Sequence, residues 1–447
     1  MKPVYTTIFI LLFTITFTVF PAKAQDSLIY CSPQETGMDS VFLYRTIDSI
    51  LNTSIELKAF PGCQILIAKD GKIVMNKSYG YHTYSYLIPV ENDHVYDLSS
   101  VSKTLGASLA IMKLVDDHSI SLDAPFSDYW KPFKQKDKKD ITFRELLAHQ
   151  SGLPAFLPFH RMYCPNGKPQ KNVFSYVKDK KYDTEVCNNM YANKKQRKEI
   201  YKAIANSPLK EKTYRYSDLP FLIFPEVVGK LTSHTFDCYL QENFYTPLGA
   251  DNLLFNPNKH LPMQKIVPTE NDEYFRYTTV HGYVHDEAAA MLGGVSGNAG
   301  LFGNATDIAK VLQMLLWKGE YGGKRYLSEE VIEEFTRCQY PENKNRRGLG
   351  FDKPLLGNDT LCLAKAYPAP AASYESYGHS GFTGTFFWVD PVNQTIYVLL
   401  TNRIFPTRNN KLLGKNNVRC TIQQVIYDAI DRFNSTVNIH LENSITP

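Results

Sequence analysis

The sequence DLSSVSKTLGASLAIMKLV, residues 97–115, is the stretch from which both the fold and the chemistry are best argued. From Val101 onward its apolar residues recur at spacings of three and four, which predicts a helix. Serines precede that helix, where hydroxyl side chains satisfy free backbone amides. Ser100 and Lys103 then lie one turn apart on the same face. The pattern predicts a serine nucleophile beside a lysine whose buried setting lowers its pKa.

Two other Ser-x-x-Lys patterns show how specific this signal is. Ser175–Lys178 lies in a lysine-rich polar stretch, and Ser207–Lys210 contains a proline and has no apolar helix after it. Neither would bury its lysine. The pattern alone is therefore weak evidence, and the assignment of Ser100 depends on motifs that follow later in the chain.

The first 24 residues have the features of a secretory signal peptide. Lys2 gives a charged start, residues 8–20 form a short apolar core, and Ala22-Lys23-Ala24 offers small residues for cleavage. The alternative is an uncleaved anchor, which the short apolar run disfavours. Residues 25–38 would then be an N-terminal extension. We expect an exported protein, periplasmic or extracellular, with no transmembrane anchor in its mature chain.

The composition indicates a globular chain without a general attraction for nucleic acid. The 447 residues include 49 Lys and Arg against 45 Asp and Glu, a net charge of +4. Removing Lys2 and Lys23 with the signal peptide leaves 47 basic against 45 acidic residues, a net charge of +2. A nearly neutral chain has no strong electrostatic pull toward a polyanion. We expect no nucleic-acid partner.

The eight cysteines are scattered, and none forms a Cys-x-x-Cys pair. Zinc and thiol-redox sites are therefore not expected. An exported chain allows disulfides, but their pairing cannot be read from sequence. The single pairing that we predict is Cys164 with Cys187, because these residues bracket one polar insertion.

That insertion, residues 155–212, differs from the rest of the chain in its many lysines and interleaved tyrosines. Acidic residues are mixed among the lysines, so a solvated insertion is favoured over a polyanion-binding patch. Residues 285–287, His-Asp-Glu, could suggest a metal, but adjacent residues do not converge on one ion. The glycines of residues 293–300 lack a dinucleotide-binding spacing and predict a tight loop. We expect no metal and no cofactor.

The remaining elements are predicted from hydrophobic periodicity. In chain order they are a helix over 39–51, strands over 62–68 and 72–75, a short helix over 140–149, strands over 386–390 and 395–403, and a closing helix over 421–433. The near-continuous apolar character of the last two strands indicates a sheet that is covered on both faces.

Two side chains have both a functional and a structural interpretation. His149 could form a triad with Ser100, but a polar side chain that braces the following turn is the favoured interpretation. Tyr216 stands at a junction between a loop and a helix, where side chains face a cleft. Its alternative is a core or capping tyrosine.

Three short motifs occur in one order along the chain. They are Ser100-Val101-Ser102-Lys103, Tyr216-Ser217-Asp218 and His379-Ser380-Gly381. Together they resemble the motifs of the serine β-lactamase and penicillin-binding-protein superfamily. They look most like its class C-like branch, which includes D-alanyl-D-alanine carboxypeptidases and esterases. Residues 146–154 and 246–249 also resemble that branch, and the likeness covers about residues 39–433.

The resemblance implies an α+β fold of the β-lactamase/transpeptidase type. An antiparallel sheet flanked by helices would lie beside a mostly helical region, with a cleft between them. The helix after Ser100 would bridge both parts. One catalytic domain would extend over residues 39–433, including the polar insertion, and residues 434–447 would form a C-terminal tail.

The resemblance also implies the catalytic roles. Ser100 would be acylated, because a serine hydroxyl becomes a good nucleophile once a base takes its proton. Lys103 would be that base in its neutral form, or it would hold Tyr216 as a phenolate that acts as the base. In the neutral-lysine case, activity would rise with pH through a lowered lysine pKa.

The third motif would bind the substrate. By family analogy, the backbone N–H groups of Ser100 and Phe382 would hold the oxyanion, beside His379, Ser380 and Gly381. His379 takes the place where many relatives have lysine. It could hydrogen-bond the catalytic tyrosine or a substrate carboxylate, with a charge that depends on pH.

Asp218 departs from the asparagine that is common in the second motif. An ionised carboxylate cannot donate a hydrogen bond to the acyl-amide carbonyl of a penicillin or a peptide. This departure disfavours β-lactam turnover and favours esterase-like or peptidase-like substrates.

The favoured function is therefore an exported serine hydrolase that forms an acyl-enzyme on Ser100. Its substrates would be small esters or peptidoglycan-related acyl compounds. One alternative is a β-lactamase or a D-alanyl-D-alanine carboxypeptidase. An alternative of another class is an envelope-binding or sensor protein that is acylated slowly.

Overall fold

The computed structural model describes residues 27–134 and 137–445, so the predicted signal peptide lies outside the described residues. The strands are β1 Ile29–Tyr30, β2 Gly62–Lys69, β3 Lys72–Gly80, β4 Tyr96–Asp97, β5 Phe174–Ser175, β6 Tyr182–Cys187, β7 Met190–Asn193, β8 Leu254–Phe255, β9 Glu270–Asp272, β10 Thr278–Val280, β11 Leu301–Gly303, β12 Glu320–Tyr321, β13 Lys324–Arg325, β14 Tyr377–Ser380, β15 Phe386–Asp390 and β16 Thr395–Thr401. The α-helices are α1 Ser40–Glu56, α2 Leu109–Asp116, α3 Phe143–Leu147, α4 Phe159–Tyr163, α5 Gln196–Ala205, α6 Leu219–Thr232, α7 Phe236–Leu240, α8 Glu287–Met291, α9 Ala305–Leu316, α10 Glu329–Thr336, α11 Leu412–Lys415 and α12 Val418–Ile445.

Six strands form the main sheet in the order β1-β3-β2-β16-β15-β14. All neighbours are antiparallel except β1, which pairs with β3 in parallel. The four predicted strands are confirmed as two hairpins, β2–β3 and β15–β16, which meet where β2 pairs with β16. The strand β1 lies within residues 25–38, so part of the segment predicted as an extension joins the sheet edge.

The main sheet is covered on both faces, as its apolar strands predict. In β2, Ile65 and Ile67 face a core that includes residues of α1 and α12. Leu66 and Ala68 point the opposite way, into a larger core with residues of α2, α6 and α9. Alternate residues of a strand point to opposite faces, so one run of apolar residues supplies both cores. The predicted α+β fold is confirmed.

The helix that follows Ser100 is less regular than predicted. Residues Lys103–Ser108 form a π-helical turn, and α2 begins only at Leu109. Ser99, just before it, has a left-handed backbone with φ of 49°. Short π-helical segments occur frequently at functional sites, because they displace side chains from the regular helical position.

Residues 155–212, predicted as a solvated insertion, present their lysines to solvent but also contribute to the core. β5, β7 and β6 form a small antiparallel sheet, and Val186, Met190 and Ile200 are buried in the larger core. Lysines such as Lys180 are exposed. The average composition of the segment therefore gave no indication of these buried side chains.

The cysteines are unpaired throughout the described residues. The predicted disulfide between Cys164 and Cys187 is therefore wrong. Cys164 directly follows α4, whereas Cys187 ends β6. Burial raises the pKa of both thiols to about 11.

The closing helix α12 is longer than the predicted 421–433 and continues into the segment predicted as a tail. The hydroxyl of Ser435 donates to the Asp431 carbonyl, and that of Thr436 donates to the Arg432 carbonyl. These bonds to the preceding turn let hydroxyl residues continue a helix. None of the helices in the described ranges has the combined length and apolar character that crossing a membrane requires.

Candidate active site

Ser100 and Lys103 are brought together as the spacing predicts. Lys103 Nζ lies 3.0 Å from Ser100 Oγ and donates a hydrogen bond to it. The same nitrogen donates to the carbonyl oxygen of Asn298 at 3.0 Å. Asn298 belongs to the glycine-rich loop of residues 293–300, where a Cβ on Gly297 would lie only 2.5 Å from the Phe221 carbonyl. The loop is tightly packed, as predicted, and it carries an acceptor for the lysine.

The prediction of a neutral Lys103 is wrong. Burial is the largest single effect and favours the neutral amine, but the Asp218 carboxylate, with Oδ1 at 2.7 Å from Nζ, favours the ammonium. Tyr216 adds to the same effect, so the pKa of Lys103 lies above its usual value. The lysine is therefore an ammonium ion in the substrate-free site. The sequence indicates that this lysine is buried, but it does not indicate a carboxylate partner.

Asp218 faces Lys103 instead of capping the helix behind it. It occupies the residue before α6, yet its side chain accepts no hydrogen bond from the first turn of that helix. This excludes capping as the reason for an aspartate at this position. Its ion pair with Lys103 joins the second motif to the first.

Tyr216 and His149 lie against each other at the base of the second motif. Their ring centroids are 4.4 Å apart, and Lys103 Nζ is 5.1 Å from the Tyr216 centroid. His149 Nδ1 accepts the backbone N–H of Ser217 at 3.1 Å. Burial, Arg347 and Lys103 lower the pKa of His149 well below its usual value. His149 is a neutral residue that braces this turn, which was the favoured interpretation.

His379 of the third motif is also buried and neutral. Its Nδ1 donates to the Ser380 carbonyl at 2.9 Å, and its Nε2 accepts from Arg347 Nη1 at 3.3 Å. Burial comes first among the causes that hold the pKa of His379 well below its usual value, followed by Arg347 and Lys103. The permanent cation at this place is Arg347, whose guanidinium lies 5.1 Å from the Tyr216 ring centroid.

Gly381 and Phe382 bring the end of β14 against the start of the Ser100 turn. A Cβ on Gly381 would lie 2.6 Å from the Leu98 carbonyl and 2.1 Å from Thr385 Oγ1, so only glycine fits. The backbone N–H of Phe382 points toward that turn and donates to Ser99 Oγ at 3.2 Å. The amide predicted for the oxyanion site is therefore already engaged by a neighbouring side chain.

A cleft of about 1000 Å³ opens in front of these residues. Ser100, Tyr216, Asp218 and residues 379–382 line it together with the turn and helix at 156–161. All eight predicted site residues are thus near one cleft: seven line it, and Lys103 lies directly behind Ser100. Part of the polar insertion forms its opposite wall, which sequence reasoning did not anticipate.

Two arginines beside the third motif were missed from the sequence. Arg419 donates from Nη2 to the Gly381 carbonyl at 3.1 Å, and its Nε is buried without a partner in the described chain. The Arg403 guanidinium stacks on the Phe382 ring at 4.8 Å. Burial, with Arg419 second, lowers the pKa of Arg403 to about 10. Neither arginine forms a salt bridge within the described residues, so both can face an anionic group in the cleft.

The His285 and Glu270 cluster beside the cleft fits a metal poorly. His285 Nε2 lies 2.7 Å from Glu270 Oε2 and 3.0 Å from Arg408 Nη2, so a guanidinium takes the place that a cation would need. A second cluster contains Glu91, Asp93 and His94. The Glu91 N–H donates to His94 Nδ1, which leaves the proton of a neutral His94 on the nitrogen that faces Asp93.

The chain is similar to known proteins in sequence and in fold. A Salmonella gallinarum protein that carries the provisional name D-alanyl-D-alanine carboxypeptidase is 29% identical over 427 residues, which covers 89% of this chain and 91% of that protein. A penicillin-binding-protein homologue from Caulobacter crescentus superposes with a TM-score of 0.61 at 18% identity, covering 87% of this chain and 97% of that chain. A family VIII carboxylesterase superposes with a TM-score of 0.56 at 19% identity, covering 88% and 98%.

A family model described as Beta-lactamase matches residues 47–416. That range spans most of the chain and contains all three motifs. The protein therefore belongs to the Beta-lactamase family and is a serine hydrolase of that family.

Proposed function

We propose that the protein is an exported hydrolase that forms an acyl-enzyme on Ser100 and cleaves small esters or peptidoglycan-derived acyl compounds. The observation that carries this proposal is the 3.0 Å contact between Ser100 Oγ and the buried Lys103 ammonium at the floor of the cleft. A serine hydroxyl becomes a good nucleophile only when a base takes its proton, and this contact orients Ser100 Oγ beside the residues that could do so.

In the proposed mechanism Tyr216, rather than Lys103, is the base. The Tyr216 side chain is a hydrogen-bond partner of Lys103, which in turn contacts Ser100 Oγ, so Tyr216 lies beside the nucleophile. Lys103 donates to Ser100 Oγ, which leaves the hydroxyl proton of Ser100 free to pass to the Tyr216 oxygen. Ser100 Oγ then bonds to the acyl carbon, and Tyr216 returns the proton to the leaving group. Water repeats the sequence to release the acid.

Arg403 and Arg419 favour a second candidate, a carboxypeptidase that removes a terminal amino acid. An acyl compound that ends in a carboxylate would place that group near the third motif, where both arginines line the cleft. Arginine binds carboxylates through two parallel hydrogen bonds. The name of the Salmonella relative agrees with this candidate.

Intact-mass analysis with three acyl donors tests the proposal. The donors are a short p-nitrophenyl ester, a penicillin and a muramyl pentapeptide, and peptide mapping locates any adduct. We expect an adduct on Ser100 that turns over rapidly with the ester. Release of D-alanine from the pentapeptide would establish the carboxypeptidase. A penicillin adduct that persists without turnover of any donor would favour a sensor, and absence of every adduct would contradict the proposal.

Asp218→Asn is expected to raise the rate on penicillins relative to the ester by about one to two decades. The ionised carboxylate sets an acceptor against the acyl-amide carbonyl of a β-lactam, a mismatch that costs about 1–3 kcal/mol. A small ester has no such amide. The measurement is the ratio of kcat/KM values for the two substrates, and an unchanged ratio would remove the main argument against β-lactams.

The pH profile of the same variant distinguishes the two possible bases. Loss of the Asp218 charge lowers the pKa of Lys103, since that carboxylate raises it in the parent. If the ammonium is required, as we propose, the alkaline limb of ester hydrolysis moves to lower pH. If neutral Lys103 were the base, the acid limb would move to lower pH instead, and activity at neutral pH would rise.

A further inference from the structure

The donor predicted for the oxyanion is occupied in the substrate-free site. Phe382 N–H donates to Ser99 Oγ at 3.2 Å, and Ser99 lines the cleft directly beside Ser100. A substrate oxygen that approaches this amide meets the Ser99 hydroxyl first. The hydroxyl must therefore either move aside or take part in binding.

Ser99 is held in this position from its backbone and from its side chain. Its N–H donates to Asp97 Oδ1 at 2.8 Å, and the other oxygen of Asp97 accepts the His285 N–H at 2.7 Å. Asp97 is buried. A Cβ on Gly381 would lie 3.2 Å from Ser99 Cβ, which shows how closely the two segments approach. Rotation of the hydroxyl away from Phe382 would lose the amide bond in a crowded site.

The Ser99 hydroxyl still has a hydrogen to donate. A hydroxyl offers one donor and two acceptor positions, and the Phe382 amide uses one acceptor position. Among the described residues, no acceptor takes the hydrogen of this hydroxyl, which faces the cleft. A hydroxyl that accepts from an amide becomes a stronger donor, because neighbouring hydrogen bonds polarise one another.

We propose that the Ser99 hydroxyl donates a hydrogen bond to the oxyanion of the tetrahedral intermediate. The Phe382 amide stabilises the oxyanion indirectly, because its hydrogen bond to Ser99 Oγ polarises that hydroxyl. This role rests on the proposed acylation of Ser100. As Ser100 Oγ bonds to the acyl carbon, the carbonyl electron pair moves onto the acyl oxygen. That oxygen accepts from Ser99 Oγ and from the Ser100 backbone N–H, and no proton is transferred to it.

Two variants test the role with a short p-nitrophenyl ester and with phenylboronic acid, which forms a tetrahedral adduct on a serine. Ser99→Ala removes the donor, and Ser99→Cys keeps the shape with a weaker donor. We expect Ser99→Ala to lower kcat by about 10- to 100-fold with little change in KM, because the bond is made only in the transition state. The kcat of Ser99→Cys should lie between that of Ser99→Ala and that of the parent. Affinity for the boronic acid should fall in parallel, and the exposed Ser119→Ala serves as control.

Three results would overturn the role. A faster Ser99→Ala would show that the hydroxyl blocks the amide. A lower Tm with unchanged kcat and boronate affinity in both variants would show that it only supports the turn. If Ser99→Ala does not fold, parental kinetics in Ser99→Cys would overturn the role. Loss of activity in Ser99→Ala together with an active Ser100→Ala would instead refute the acyl-enzyme itself.

Discussion

Ser100→Ala is expected to lower kcat for ester hydrolysis by about 10⁴-fold or more and to abolish the covalent adduct. Removal of the nucleophile of a serine hydrolase leaves only the catalysis that binding and oxyanion donors supply. In this site the neighbouring Ser99 cannot substitute, because its oxygen accepts the Phe382 amide and its backbone is fixed by Asp97. The measurement combines steady-state kinetics with intact mass after exposure to the ester.

A matched control is present in the same chain. Ser175 and Lys178 repeat the Ser-x-x-Lys spacing, but Ser175 Oγ donates to the Val177 carbonyl at the exposed end of β5. Ser175→Ala should therefore keep the parental rate and the parental adduct. Ester turnover near the parental rate in Ser100→Ala would contradict both the acyl-enzyme and the role of Ser99.

The sequence predicts the fold and the approximate site for identifiable physical reasons. The apolar runs of β2, β15 and β16 are long enough to indicate a sheet covered on both faces, and the structure confirms this. Ser100 and Lys103 are three residues apart, so helix geometry alone nearly fixes their contact. In both cases, residues that are close together in the sequence were sufficient for the prediction.

The protonation of Lys103 could not be predicted in the same way. Its partner Asp218 is 115 residues away in the sequence, and an aspartate before a helix is more simply read as a cap. Only the folded chain shows that the carboxylate turns from the helix to the lysine. The aspartate in place of the common asparagine was the signal available in the sequence. It was taken to indicate a change in substrate preference, and not a carboxylate partner for the lysine.

The other missed residues depend on long-range packing or on unusual backbone. Asn298 contributes its backbone carbonyl oxygen. Every residue has this group, so the residue type gives no indication of the contact. Arg403 and Arg419 lie beyond the last motif and reach it only because β14 and β16 share one sheet and α12 packs on it. Ser99 was noted as a hydroxyl before a helix, but its left-handed backbone places it in the cleft instead.

Lys103→Met is expected to lower kcat for the ester by about 10³-fold or more, and it should also destabilise the protein. Acid–base residues contribute about 10²- to 10⁴-fold, and this ammonium also orients Ser100 Oγ. Its removal leaves the Asp218 carboxylate without its partner. Asp218 is 30% exposed, so we expect a loss of about 1–3 kcal/mol in the free energy of unfolding rather than the larger loss of a fully buried charge.

Lys103→Arg retains the charge and tests the geometry. The lysine is 1% exposed and reaches three acceptors in different directions. A planar guanidinium is larger and does not match three acceptors arranged around one nitrogen. We expect Lys103→Arg to be nearly inactive as well, and a near-parental rate would show that charge alone is sufficient.

The double variant Lys103→Met/Asp218→Asn separates catalysis from stability. With both charges removed, no unpaired carboxylate remains, and the free energy of unfolding measured by urea denaturation should return close to the parental value. The ester rate should stay as low as in Lys103→Met, because the neutral asparagine supplies neither an ammonium nor a donor directed at Ser100. Recovery of both properties would mean that the lysine only neutralises Asp218. Recovery of stability alone would show that Lys103 acts on the nucleophile.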